Sequence, residues 1–235
     1  MSIIALKAFQ DNYIWVIQQM SSFICIDPGE ANPVLEYQQK NNLSLEAILV
    51  THEHPDHVGG VPTLLKHFPE AVLYEPKQKM QYVSYKELHF DVLSTPGHTH
   101  NHICYFEPNH KWLFCGDTLF SAGCGRVFSG TMQELYDSLQ TLKALPDETQ
   151  VFCAHEYTRQ NLKFALHVEP NNLHAQQRLE ELEAHPEQIS LPSTIRLEKE
   201  INPFFRCDAN EIQAFAGSQN AFAVFETLRS AKDCF

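Results

Sequence analysis

The stretch THEHPDH, Thr51 to His57, follows the apolar run AILV and sets His52, His54, Asp56 and His57 within six positions. Imidazole and carboxylate at this density are ligands for a divalent cation such as zinc, iron or manganese, and the absence of a thiolate argues against a closed structural zinc site. Spaced i, i+2 in an extended segment, His52 and His54 point to the same side. Asp56 and His57 come where the chain must turn into a helix, and Gly59 and Gly60 permit a tight entry. Four donors on one tetrahedral ion would leave no opening for a substrate, so this cluster reads as half of a two-metal hydrolytic site.

Three further places supply donors. STPGHTHNH puts His98 just after a strand, in a Pro-Gly turn; CGDTLF puts Asp117 at the end of the apolar KWLFC; VFCAHEYT puts His155 at the end of another strand. Each sits where a strand gives way to a loop, the position at which α/β proteins commonly place chemistry. His100 and His102 flank His98 and compete for its role. His102 opens an apolar strand and reads as a supporting or packing residue, and His100 as a solvated loop residue. His67, His89, His110, His167, His174 and His185 are isolated and are read as ordinary surface or packing histidines.

The elements that must position these donors are legible as short apolar, β-branched or aromatic runs. NYIWVIQ, SFICID, EAILV, AVLYE, HFDVLS, HICYFE, KWLFCGD and QVFCAH predict strands, with EPNHK as a hairpin turn. NPVLEYQQKN, GGVPTLLKHF and TMQELYDSLQTLKAL predict helices, the last with Thr131 and Glu134 as a capping box. From Tyr157 onward the character turns helical, with TRQNLKFALHV, NNLHAQQRLEELEAH and NAFAVFETLRSAKDCF. The expected organisation is a strand-rich α/β domain over residues 1–156 and a smaller helical domain over 157–235.

The 235 residues are 43% hydrophobic and 20% charged, a soluble globular composition. Seventeen basic against 29 acidic side chains give a net charge of −12, which argues against nucleic acid as a partner. Seven dispersed cysteines without a C-x-x-C, no basic leader and no run of membrane length predict a cytoplasmic protein with reduced thiols.

THEHPDH, PGHT, GDTLF and AHEYT, in this order, resemble the metallo-β-lactamase superfamily. GDTLFSAGCGR, HEYT with NLKFA, and the terminal RSAKD bring the resemblance closer to its glyoxalase II branch, the hydroxyacylglutathione hydrolases, over nearly the whole chain. The resemblance implies an αββα sandwich with a smaller C-terminal α-helical domain, in a monomer. It implies two divalent ions, zinc first and iron or manganese as alternatives, one held by His52, His54 and His98, the other by Asp56, His57 and His155. Asp117 would bridge them, and Asp56 would also orient the nucleophile. The implied reaction is hydrolysis of S-lactoylglutathione or a related 2-hydroxyacyl thioester, the second step of methylglyoxal detoxification. Two ions sharing a water make hydroxide available at neutral pH, and a thiolate of pKa about 8.5 leaves without a general acid.

Glutathione would be bound by Arg126, Phe128, Tyr157, Arg229 and Lys232. Arg229 and Lys232 share one face of the last helix, where cations are also favoured by the helix dipole alone. Phe128 stands where relatives often carry Tyr, and Asn101 where G-H-T-x-G-H has Gly. Competing readings are a mononuclear-iron persulfide dioxygenase, a β-lactamase or nuclease on the same fold, and a metal-binding protein without activity.

Overall fold

The computed structural model describes all 235 residues, Met1–Phe235. The first sheet holds β1 (Ser2–Ala8), β2 (Asn12–Gln19), β3 (Ser22–Ile26), β4 (Ser44–Leu49) and β5 (Val72–Tyr74) in that order. β1, β2 and β3 form an antiparallel meander, and β4 and β5 continue parallel to β3. The crossovers carry α1 (Asn32–Asn41), the short α2 (Pro55–Val58) and α3 (Val61–His67). The second sheet contains β6 (Tyr82–Tyr85), β7 (Leu88–Ser94), β8 (Ile103–Glu107) and β9 (Trp112–Gly116) as antiparallel neighbours. After the small β10 (Leu119–Phe120) and β11 (Gly123–Cys124) ribbon and α4 (Met132–Lys143), β12 (Gln150–Cys153) adds parallel to β9. β13 (Ser193–Thr194) closes that edge.

The period-two alternation of strand side chains separates two apolar layers. Tyr13, Trp15, Ile17, Ile24 and Ile26 pack in one core with Leu88, Phe90, Tyr105 and Phe114 of the second sheet. Ile14, Val16, Phe23, Cys25 and Ile48 point the other way, onto Val34 of α1 and Val61 and Leu64 of α3. Leu135, Leu139 and Leu142 of α4 join the inter-sheet core, completing helix, sheet, sheet, helix. The expected capping box is present: Glu134 N–H donates to Thr131 Oγ1 at 3.1 Å and Thr131 N–H to Glu134 Oε2 at 2.7 Å.

The rest is helical: α5 (Thr158–Val168), α6 (Leu173–Ala184), α7 (Ile195–Ile201), α8 (Asn210–Ala216) and α9 (Ala221–Cys234). Phe164, Phe204, Phe225 and Leu228 of this region belong to the same continuous core as the sheets. No helix is long and apolar enough to cross a membrane.

Candidate metal centre

Four strands deliver the chemistry at their C-terminal ends. His52 and His54 follow β4, His98 follows β7, Asp117 follows β9 and His155 follows β12, while Asp56 and His57 lie on α2. Two backbone positions require glycine. Gly97 (φ +139°) brings His98 inward with its Cα face against Leu135, 2.4 Å from where a Cβ would sit. Gly116 (φ +47°) precedes Asp117, and a Cβ there would lie 2.3 Å from Thr51 Oγ1. Asn101, in the same turn as His98, has no positive φ, so the turn does not require the glycine of G-H-T-x-G-H at that position.

The donors converge in two groups of three, His52 with His54 and His98, and Asp56 with His57 and His155. His54 Nδ1 lies 3.1 Å from both His52 Nε2 and His98 Nε2. Asp56 Oδ2 lies 3.4 Å from His57 Nε2 and from His155 Nε2. Asp117 faces both groups: Oδ1 is 3.5 Å from His57 Nε2 and 3.4 Å from His155 Nε2, and Oδ2 is 3.6 Å from His98 Nε2.

The other nitrogens of these imidazoles are tied back. His57 Nδ1 is 3.1 Å from Asp27 Oδ2, His155 Nδ1 2.7 Å from Asp11 Oδ1, and His98 Nδ1 2.8 Å from the Arg126 carbonyl. Thr51 locks Asp27, donating its N–H and its hydroxyl to the two carboxylate oxygens, each at 2.7 Å. Asn12 Nδ2 donates to Asp56 Oδ2 at 3.1 Å, and buried His102 Nε2 accepts the Asp117 N–H at 3.2 Å while its ring stacks on His52. Such partners fix ring orientation and tautomer in metal sites. Asp11, Asn12 and Asp27 were not singled out from sequence.

Charge and unmet valence suit this donor set to cations. Burial alone would push Asp117 up, but the facing His57 and His155 hold it well below the usual carboxylate range. Burial likewise pushes the His57 imidazole down, and Asp117, Asp27 and Asp56 outweigh it and hold it well up; for His155, Asp117, Asp56 and Asp11 outweigh burial and raise it to about 10. His52 and His98 have no such excess of carboxylate, and burial depresses both. Buried His57 Nε2 and Asp117 Oδ1 have no hydrogen-bond partner. Buried polar atoms left this way cost stability unless something fills the space between them. All-nitrogen-and-oxygen donors in two groups sharing one carboxylate fit two divalent metal ions.

The centre opens into a cavity of about 490 Å³ with an aromatic wall and a cationic end. Phe128 is 65% exposed, with its ring centroid 5.2 Å from those of His54 and His98 in near-perpendicular geometry. Tyr157 stacks on His155 at 4.7 Å. Arg126 is exposed, with Nε 3.2 Å from Asp233 Oδ1. Lys232 is half-buried, 5.3 Å from the ring centroids of Phe164 and Phe235; burial, then the neighbouring Arg229 and Arg126, brings its ammonium down to about 8. Arg229 lines the same cavity but is buried, and Nη1 donates to the Cys124 carbonyl at 2.8 Å.

Comparison with known proteins gives the same picture. The metallo-beta-lactamase superfamily model matches residues 9–84 and 86–155, and the model for the hydroxyacylglutathione hydrolase C-terminus matches residues 156–235. A hydroxyacylglutathione hydrolase of Legionella pneumophila (strain Lens) is 46% identical, with 100% of both chains covered. Among solved structures, BLEG-1 B3 metallo-beta-lactamase superposes with a TM-score of 0.66 at 21% identity, covering 87% of this chain and 99% of that one. TTHA1623 in a di-iron-bound form superposes with a TM-score of 0.62 at 24% identity, covering 87% of this chain and 100% of that one. The chain belongs to the hydroxyacylglutathione hydrolase family of the metallo-β-lactamase superfamily.

Proposed function

We infer that the protein hydrolyses the thioester of S-(2-hydroxyacyl)glutathione, with S-lactoylglutathione as the reference substrate, to glutathione and a 2-hydroxy acid. The observation that carries this reading is the pair of three-donor groups meeting on Asp117 at the mouth of a cavity whose far end is cationic. His52, His54 and His98 would hold one ion, Asp56, His57 and His155 the other, and Asp117 would touch both. Zinc suits imidazole with carboxylate, and iron or manganese would be accepted by the same donors.

Two such ions, when bound, would supply Lewis acidity for the thioester carbonyl and would lower the pKa of a water from about 15.7 towards 7. The side chains do the rest. Asp56 is partly exposed to the cavity and can accept a hydrogen bond from the attacking water, orienting it. Phe128 and Tyr157 wall the acyl end beside the donors, excluding bulk water. Arg126 and Lys232 meet the carboxylates of glutathione, with Arg229 shaping the loop between them. Phe128 offers no hydroxyl to the substrate, so recognition there is by packing. The departing thiolate, of pKa about 8.5 by analogy with cysteine, needs no proton donor.

In this reading residues 1–156 form the catalytic domain and 157–235 the helical substrate-binding domain of a monomeric, cytoplasmic enzyme. Incubation with S-lactoylglutathione should release free thiol without oxygen uptake. Oxygen consumption on glutathione persulfide, with the thioester left intact, would replace this assignment by a dioxygenase.

A further inference from the structure

The cationic end of the cavity already holds a carboxylate of the chain's own. Asp233 Oδ1 lies 3.2 Å from Arg126 Nε and accepts from Arg229 Nη2 at 3.0 Å. The two contacts differ in kind. Arg229 is buried one turn before Asp233 on α9 and gives its other amino group to the carbonyls of Cys124 and Gly125, so this half is built into the fold. Arg126 is 61% exposed and reaches Asp233 from the segment between β11 and α4. An ion pair this open to water is weak and salt-screened.

The surroundings carry more positive charge than Asp233 can meet. Lys232, beside it in sequence, makes no ion pair and leans on aromatic rings, and the buried Nε of Arg229 has no partner. One carboxylate therefore serves three cations, in a chain whose overall charge is −12.

We propose that Asp233 is a stand-in for a substrate carboxylate and sets the affinity for carboxylate-bearing thioesters by competing for Arg126. This rests on the hydroxyacylglutathione reading. Asp233 stays on Arg229 while Arg126 exchanges one carboxylate for another, a swap of equivalent ligands on a guanidinium. Asp233 weakens binding twice, by occupying Arg126 and by repelling the incoming anion. Between turnovers it offsets the mutual repulsion of Arg126, Arg229 and Lys232.

Asp233→Asn keeps the shape and removes the charge. Steady-state hydrolysis is compared on S-lactoylglutathione and on S-lactoyl-N-acetylcysteamine, which has the same acyl thioester and no carboxylate. The KM for the glutathione thioester should fall about fivefold, equivalent to ~1 kcal/mol, with the change in KM rather than kcat. Inhibition by free glutathione should tighten in parallel, and the KM for the neutral thioester should hold. A glutathione-thioester KM that stays or rises, or an equal fall for both substrates, overturns the proposal. Because Arg229 also faces a neutral amide instead of a carboxylate in that variant, the substitution is repeated in an Arg126→Gln background. There only the repulsion of the incoming anion is left to relieve, so Asp233→Asn should lower KM clearly less than it does with Arg126 present, and an undiminished effect overturns the competition. A wild-type protein with no preference for the glutathione thioester brings down the substrate reading, and the stand-in with it. A clear wild-type preference with an unresponsive Asp233→Asn brings down the stand-in alone.

Discussion

Asp117 is the residue on which both donor groups meet, and its two oxygens face different imidazoles. Asp117→Ala should lose metal and lower kcat by more than about a hundredfold, exceeding the 10–100-fold range typical of residues behind the ligands. Near-normal turnover at full metal content in that variant removes its bridging role. Asp11→Ala frees His155 Nδ1 and should weaken metal retention about 10–100-fold, measured by competition with a chelator; unchanged retention makes Asp11 a surface carboxylate only. Lys232 gives a pH dependence. Its ammonium is charged below about 8 and neutral above, so kcat/KM for the glutathione thioester should fall as pH rises through about 8. Lys232→Met should flatten that limb, and an identical limb in the variant assigns it elsewhere. The seven side chains that converge on Asp117 and its neighbours were legible as candidates because they stand at the ends of strand-like runs and because THEHPDH crowds four of them into six positions. Asp11, Asn12 and Asp27 were not, since QDNY and DPG read as turns. Only folding brings Asp11 onto a histidine 144 positions away.

Of the strands that carry the donors, β4, β9 and β12 were visible as apolar runs because they are buried in a two-layer sandwich, and β7, with only Leu88 and Phe90 buried, through Phe90, Val92 and Leu93. β1 and β6 were not, being edge strands: Lys7 interrupts the first, and only alternate residues of the second are buried. α7 and α8 were missed too, each a seven-residue helix in a proline-punctuated stretch. α7 nonetheless supports the cavity. Its Glu198 is fully buried and accepts from the Ser121 hydroxyl at 2.9 Å, the Ala122 N–H at 2.8 Å, the Asn202 amide at 3.0 Å and the Ser193 hydroxyl, fixing the β10–β11 turn ahead of Arg126. Glu198→Ala leaves these donors unmet and should cost about 3 kcal/mol or more. Glu198→Gln should cost ~1 kcal/mol or less, because both serine hydroxyls can turn to accept from its amide. Denaturant midpoints test this, and equal losses for the two variants contradict the network.

At the scale of the whole molecule, the sandwich and the helical tail share one core. Phe164, Phe204, Phe205, Phe225 and Leu228 all lie in it with the sheet residues. At about 1.5–3 kcal/mol for each large apolar side chain buried, their removal is comparable with the ~5–15 kcal/mol that holds a typical protein folded. A fragment of residues 1–156 should therefore lack the cooperative thermal transition of the full chain, and a fragment melting like the intact protein would show an independent domain. The sequence pattern located the change of character at Tyr157 but held no sign that the core runs across it, since packing partners are set by the fold. Metal-dependent thioester cleavage remains the most direct measure of what the assembled molecule does. Metal-depleted protein is titrated with zinc while S-lactoylglutathione hydrolysis and bound metal are followed together. Activity should climb to a plateau at two ions per chain; no cleavage at any loading, or full cleavage by a chain that binds a single ion, contradicts two-metal hydrolysis.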